Sequence, residues 1–406
     1  MRRARWDRGQ RDGNSTNGIY VYNDSATGTA LADLDQLLGG SSSSEPAEGL
    51  SSGDIDNDGD DDLLVMLDTS AGGSGAYLFD GPMTSLTAMS AATATFTATG
   101  TYDEFGAVSV LGGDIDGDGN LEMVVGGTEY DYSTSTGVGA IVWVESPAGA
   151  YTNGTVGALL RGSASNDSLG QGLAFVDFDA DGAHELFVGA PYAATGDAGN
   201  VYMASDSLAA SGTFASTADA TFTSSFASRG YYFGFDIDAA GDLDGDGYDD
   251  LVVGGYGLSL GGRRGGVVIL SGGATLPSGT VDWYTDATAL IGGPTTSTSP
   301  YFGYAVAVPG DVDGDGETDL VATAPYYDYS ASVRGTAYLF LGPFSGSLDA
   351  DDAEWTVTAP TSSDNLGRAA IGIGDLEGDG FADFAVSSSA YASSSGAAWY
   401  FMGLGE

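Results

Sequence analysis

The run Asp242-Leu243-Asp244-Gly245-Asp246-Gly247-Tyr248-Asp249-Asp250, continued by Leu251-Val252-Val253-Gly254-Gly255, decides the fold. Its carboxylates stand at positions 1, 3, 5 and 9 of a nine-residue loop, with glycine at position 6. Alternate Asp side chains in a tight loop can converge on one point, and a hard divalent cation takes about six to eight oxygens. Glycine at position 6 permits the sharp bend because it tolerates positive φ. The Leu/Val run that follows reads as a strand.

The loop recurs, beginning at Asp54, Asp114, Asp177, Asp242, Asp311 and Asp375, at spacings of 60, 63, 65, 69 and 64 residues. Positions 1, 3, 5 and 9 read Asp54, Asp56, Asp58, Asp62 and then Asp114, Asp116, Asp118, Glu122. The third and fourth loops give Asp177, Asp179, Asp181, Glu185 and Asp242, Asp244, Asp246, Asp250. The fifth and sixth give Asp311, Asp313, Asp315, Asp319 and Asp375, Glu377, Asp379, Asp383. Position 7 varies freely (Asp60, Asn120, Ala183, Tyr248, Glu317, Phe381), as expected where the ligand is the backbone carbonyl. Position 2 is always apolar, from Ile55 to Leu376, and so is position 10, so both are expected to anchor the loop in the core.

A helix–loop–helix calcium site needs a bidentate Glu at position 12. That position holds Val65, Val125, Val188, Val253, Ala322 and Val386, which bind no metal and continue a strand. Oxygen-only donors without His or Cys favour Ca²⁺, up to six ions, over softer metals. Asp and Gly also make ordinary turns. Four convergent carboxylates repeated six times, however, repel one another unless a cation lies among them.

A fixed period settles the architecture before any other feature. Each period reads as an apolar strand, the acidic loop, a second apolar strand, an aromatic strand such as Gly266-Val267-Val268-Ile269-Leu270, and a Thr/Ala-rich strand such as Ala94-Thr95-Phe96-Thr97-Ala98. Four short strands per unit without helical periodicity predict an all-β propeller of four-stranded blades. Six blades are expected and seven are the alternative. The propeller is expected over residues 18–406, after a polar, disordered tail over residues 1–17. The segment Gly18-Ile19-Tyr20-Val21-Tyr22 and a strand near 29–38 are expected to complete the last unit, which stops after its third strand.

The chain carries 57 acidic residues against 11 basic ones, all Arg, for a net charge of −46. So negative a surface repels phosphate backbones and anionic lipid, which argues against nucleic-acid and membrane partners. No Cys is present, so disulfides, thiolate catalysis and zinc–thiolate sites are excluded. No apolar run approaches the ~18 residues of a membrane span. No signal peptide is visible in the chain. His184, the only His, sits at position 8 of the third loop and reads as a surface turn residue rather than a catalytic base. Arg263-Arg264 reads as an exposed hairpin tip able to grip an acidic group. The tyrosine pairs Tyr130/Tyr132, Tyr231/Tyr232 and Tyr326/Tyr327 read as core packing or as a surface for a sugar or protein ligand.

The unit resembles the FG-GAP repeat of integrin α-subunit β-propellers and their bacterial relatives. The Phe-Gly element stands as Phe105-Gly106, Phe233-Gly234 and Phe302-Gly303, and as Leu169-Gly170 and Leu366-Gly367. Gly189-Ala190-Pro191 is intact and Ala324-Pro325 partial. The resemblance implies calcium on one rim and a protein or carbohydrate ligand on the other, outside the cell or at its surface. It implies a non-catalytic adhesion or recognition module. The alternatives are a propeller enzyme or enzyme appendage acting on polysaccharide, and a structural spacer.

Overall fold

The computed structural model describes residues 47–67, 75–81, 91–98, 105–152, 154–205, 208, 211–224, 230–295, 300–330, 333–359, 364–376, 378–389 and 397–403, with four short strands nearer the N-terminus. The chain is all-β, a succession of antiparallel sheets in a propeller-like arrangement. The fourth unit shows the plan. Asp236–Gly241 pairs with Asp250–Leu260, which pairs with Arg263–Leu270, which pairs with Ala289–Gly292. The acidic loop joins the first strand to the second in every unit. Its position 9 is the first residue of the second strand, as in Asp62–Leu67, Glu122–Gly127 and Asp383–Ser388.

Each of the first four sheets gains a fifth strand that the repeat pattern did not predict. Gly149–Thr152, Gly212–Thr213, Gly279–Asp282 and Gly346–Asp349 come from the following unit and pair in parallel with the fourth strand of the preceding one. An open sheet edge is a template for unwanted pairing. Here the next repeat covers it.

The strands of the inner sheets read as near-continuous apolar runs because both faces are buried. In Glu122–Gly127 every residue is buried. Met123 and Val125 pack with the first unit, alongside Leu64, Leu78 and Phe96. Val124 points the other way and packs with Phe175, Leu186 and Val188 of the third. This is the period-two alternation of a strand. Such cores lie between each successive pair of sheets, from the first to the sixth.

Position 2 of the loop anchors as expected in five units, where Ile55, Ile115, Phe178, Leu243 and Val312 are buried. Leu376 departs from that expectation, at 46% exposed. The other five pack towards the following unit, and among the described residues nothing packs on that face of the sixth sheet. At the other end of the chain, Gly18–Val21 pairs with Gln36–Gly39 in a separate two-stranded sheet. Among the described residues neither strand pairs with Ala397–Phe401, so the expected completion of the last unit is not seen there. Of residues 1–17 only Gln10–Arg11 and Asn14–Ser15 are described, as a short antiparallel pair, and the expected tail otherwise lies outside the described residues.

Candidate metal loops and the opposite rim

Local backbone geometry shapes the acidic loops. Glycine at position 6 has positive φ in every copy, from 86° at Gly119 to 95° at Gly247. The position-1 carboxylate caps the turn. Asp242 accepts from the N–H of Gly245, Asp246 and Gly247 at 2.7, 3.0 and 2.9 Å. Asp244 accepts from Asp246 N–H at 3.2 Å, and Asp246 from Tyr248 N–H at 3.1 Å. Each of these carboxylates is therefore held by the backbone, and Ser271 Oγ also donates to Asp244 at 2.7 Å.

In five loops the carboxylates of positions 1, 3 and 5 come together, with one oxygen of each lying within 4.8 Å of the others. They are Asp54, Asp56 and Asp58; Asp114, Asp116 and Asp118; Asp177, Asp179 and Asp181; Asp242, Asp244 and Asp246; and Asp311, Asp313 and Asp315. Among the described residues none of these carboxylates is paired with an Arg. In the sixth loop Glu377 lies outside the described residues, while Asp375 and Asp379 make the same turn bonds.

Position 9 does something the spacing did not reveal. One oxygen of Asp62, Glu122, Glu185, Asp250, Asp319 and Asp383 accepts from the position-2 N–H at 2.7–2.8 Å. In the four Asp copies the second oxygen accepts from a glycine N–H just after the third strand: Gly81, Gly272, Gly342 or Gly403. This carboxylate pins the loop to the third strand. In the second loop the other oxygen, Glu122 Oε1, is buried without a hydrogen-bond partner, as is Asp179 Oδ1 in the third. Burial, reinforced by neighbouring carboxylates, pushes Glu122 and Glu185 up to about 7 and Asp250 and Asp319 to about 6. Clustered oxygens, orphaned buried carboxylate atoms and, among the described residues, no paired Arg fit a hard cation of the Ca²⁺ type. Positions 1, 3 and 5 would hold it, and the carbonyls of position 7 and carboxylates of position 9 stand next in the loop.

Neighbouring loops also touch. His184 N–H donates to Asp114 O at 2.7 Å, and its Nδ1 accepts from Asp114 N–H at 3.4 Å. Ala382 N–H donates to Asp311 O in the same way, at 2.7 Å. His184 is thus a clasp between loops, a role its sequence position did not suggest. Arg263 is no bare hairpin tip either. It pairs with Asp349 at 2.7 Å and Asp351 at 3.0 Å, bridging the fourth sheet to the strand laid on its edge.

The other end of the sheets is aromatic. The register Asp236↔Gly254 lies at the end away from Gly241↔Asp250, so residues flanking it are far from the loop. There Tyr232 stacks on Tyr256 at 4.4 Å, and Tyr256 meets Tyr301 at 5.0 Å and Tyr304 at 5.8 Å. Tyr192 and Tyr326 extend the group at 5.2 Å from Tyr232 and 5.0 Å from Tyr301. The Arg368 guanidinium lies 5.0 Å from the Tyr304 ring and donates to the Tyr326 hydroxyl. Of the sequence-predicted tyrosine pairs, Tyr232 and Tyr326 join this platform. Tyr231 and Tyr327 pack against cores, Tyr130 meets Phe105, and Tyr132 carries Arg161 over its ring. Below the platform Asp236 and Asp238 accept from Val306 and Val308 N–H at 2.8 and 2.9 Å, tying adjacent first strands together. Burial pushes these carboxyls up to about 7 and about 6.

Comparison with known proteins agrees with the motifs. The FG-GAP repeat family matches residues 169–202 and 302–340, the third and fifth units, which hold the intact and the partial Gly-Ala-Pro elements. Integrin alpha-X of Homo sapiens is 35% identical over 159 residues, 39% of this chain and 13% of that protein. A phosphatidylinositol-glycan-specific phospholipase D of Rattus norvegicus is 34% identical over 154 residues, 37% of this chain and 18% of that protein. The matched stretches thus span less than a fifth of either relative. Among solved structures, the Dos1 propeller aligns with a TM-score of 0.41 at 10% identity, covering 80% of this chain and 64% of that one. The chain carries FG-GAP repeats and is similar, over part of its length, to an integrin alpha subunit.

Proposed function

We propose that this protein is a non-catalytic, calcium-binding recognition module, acting outside the cell or at its surface, with its protein or glycan ligand on the rim away from the acidic loops. The observation that carries the reading is the carboxylate triad repeated in five loops with no Arg paired to it among the described residues. Like charges held within 4.8 Å destabilise the fold, and a divalent cation between them removes that cost. Calcium would supply that neutralisation and lock each hairpin. The similarity to an integrin alpha subunit supports the recognition role and the surface location.

Calorimetric titration with Ca²⁺ tests the shared premise. Up to six sites are expected, of extracellular type, with Kd on the order of 10⁻⁴–10⁻³ M. Chelation should lower the melting temperature, because a ligand that binds only the folded state stabilises it. Fewer than three sites, or a melting temperature indifferent to chelator, overturns the reading.

A further inference from the structure

We propose that the tyrosine platform binds a saccharide ring, with Tyr232 and Tyr301 as its anchoring residues. The proposal rests on the recognition reading above and names the ligand chemistry. Its starting point is the backbone. In four units the residue before the Phe-Gly or Leu-Gly pair has positive φ: Ser168 at 50°, Tyr232 at 55°, Tyr301 at 56° and Asn365 at 50°. Asn tolerates that left-handed conformation because its short polar side chain bonds locally. A bulky aromatic there is an outlier. Two adjacent units nevertheless carry tyrosine at this position.

Core packing does not account for the choice. The neighbouring Phe233 and Phe302 fill the core and are fully buried, whereas Tyr232 and Tyr301 are only half-buried. Both strained tyrosines instead flank Tyr256, one on either side, at 4.4 and 5.0 Å. Strain maintained at a partly exposed cluster points to a function.

The chemistry selects a sugar. The six tyrosines, each partly exposed, present hydroxyl tips around an aromatic surface, which matches a pyranose: C–H groups against the rings, hydroxyls to the phenols. Burial raises Tyr232, Tyr256 and Tyr304, so these phenols stay neutral and can donate. None of the six tyrosines is among the large exposed hydrophobic residues described, and each keeps part of its surface in solvent. A net charge of −46 disfavours a polyanion at long range but does not oppose a neutral ring. Arg368 stands at the platform's edge, with no carboxylate at ion-pair distance among the described residues. Its fork can take two sugar hydroxyls or the carboxylate of a uronate.

The test uses the calcium-loaded chain on immobilised neutral gluco-, manno- and xylo-oligosaccharides and on oligogalacturonate and oligoguluronate. Binding is expected. Y232N and Y301N should each weaken it at least tenfold while the melting temperature stays level or rises, since Asn365 shows that Asn suits the backbone there. R368Q distinguishes the two ligand sources. A loss confined to uronates assigns the guanidinium to the carboxylate, and an equal loss assigns it to hydroxyls. No loss on either removes Arg368 from the site. Normal binding by Y301N, or a binding loss that comes with a lower melting temperature, makes Tyr301 a packing residue and overturns the assignment. So does a wild-type chain that binds no glycan. If its melting temperature still depends on calcium, the metal premise survives; if not, both readings fall together.

Discussion

Position 4 of the acidic loop shows how much a single residue carries. Asn57, Gly117, Ala180, Gly245, Gly314 and Gly378 all have positive φ, between 58° and 82°. Three are followed by a position-1 carboxylate bond to their own N–H, as in Asp311 to Gly314. The column of small residues was legible in the sequence, but position 6 drew the reading because its glycine is invariant among the six. Ala180 alone pays the Cβ clash of a left-handed conformation without an amide side chain to offset it. Ala180→Gly should therefore raise stability by about 1 kcal/mol, seen as a higher denaturant midpoint at unchanged slope. By contrast, the second role of position 9 was illegible. Asp250 meets Gly272 N–H only after the third strand has returned, so no local pattern announces the bond.

At the level of the element, the structure explains why the two halves of the repeat motif occur together. Gly189 belongs to the second strand of one unit and Gly234 to the entry of the next, and a Cβ on Gly189 would sit 2.0 Å from Gly234 O. The same close approach joins Gly126 to Gly170 O at 2.3 Å and Gly254 to Gly303 O at 2.4 Å. In the fifth unit Thr323 takes the glycine's place and its hydroxyl donates to Gly367 O at 2.8 Å. The motifs were visible in the sequence; that they touch across units was not. Gly189→Ala should force the third and fourth sheets apart, with a loss of a few kcal/mol comparable to core overpacking, measured by chemical denaturation. The loops themselves predict a pH response. Glu122, Glu185, Asp250 and Asp319 have folded-state pKa values of about 7, 7, 6 and 6, above their unfolded values. The folded state then holds more protons, so stability falls as pH rises from about 4.5 through 7. In chelator the melting temperature should be higher at pH 5 than at pH 8. Calcium, by holding the carboxylates ionised, should flatten or reverse that trend.

For the whole molecule, the period of about 60 residues was enough to give the succession of sheets and the place of every loop, because each unit repeats the same strand–loop–strand alternation. What it could not give was the interlock. The parallel strand Gly279–Asp282 lies some 60 residues after its partner Ala220–Thr223 and carries little apolar character of its own. Nor could it show that the tyrosines of units three to five share one platform, since Tyr192 and Tyr326 stand 134 residues apart and are linked only through the rings between them.

That interlock has a mechanical consequence. Because each of the first four sheets is finished by a strand from its successor, the first four repeat boundaries are not boundaries between sheets. A pull that separates neighbouring repeats must therefore break these parallel pairs as well as the contacts between sheets. Under tension in an optical trap, the chain should yield in steps longer than one repeat, and calcium should raise the force at which it does. Steps of one repeat each would show that the shared strands let go first. A chain of this build would bear load as a belt of overlapping links.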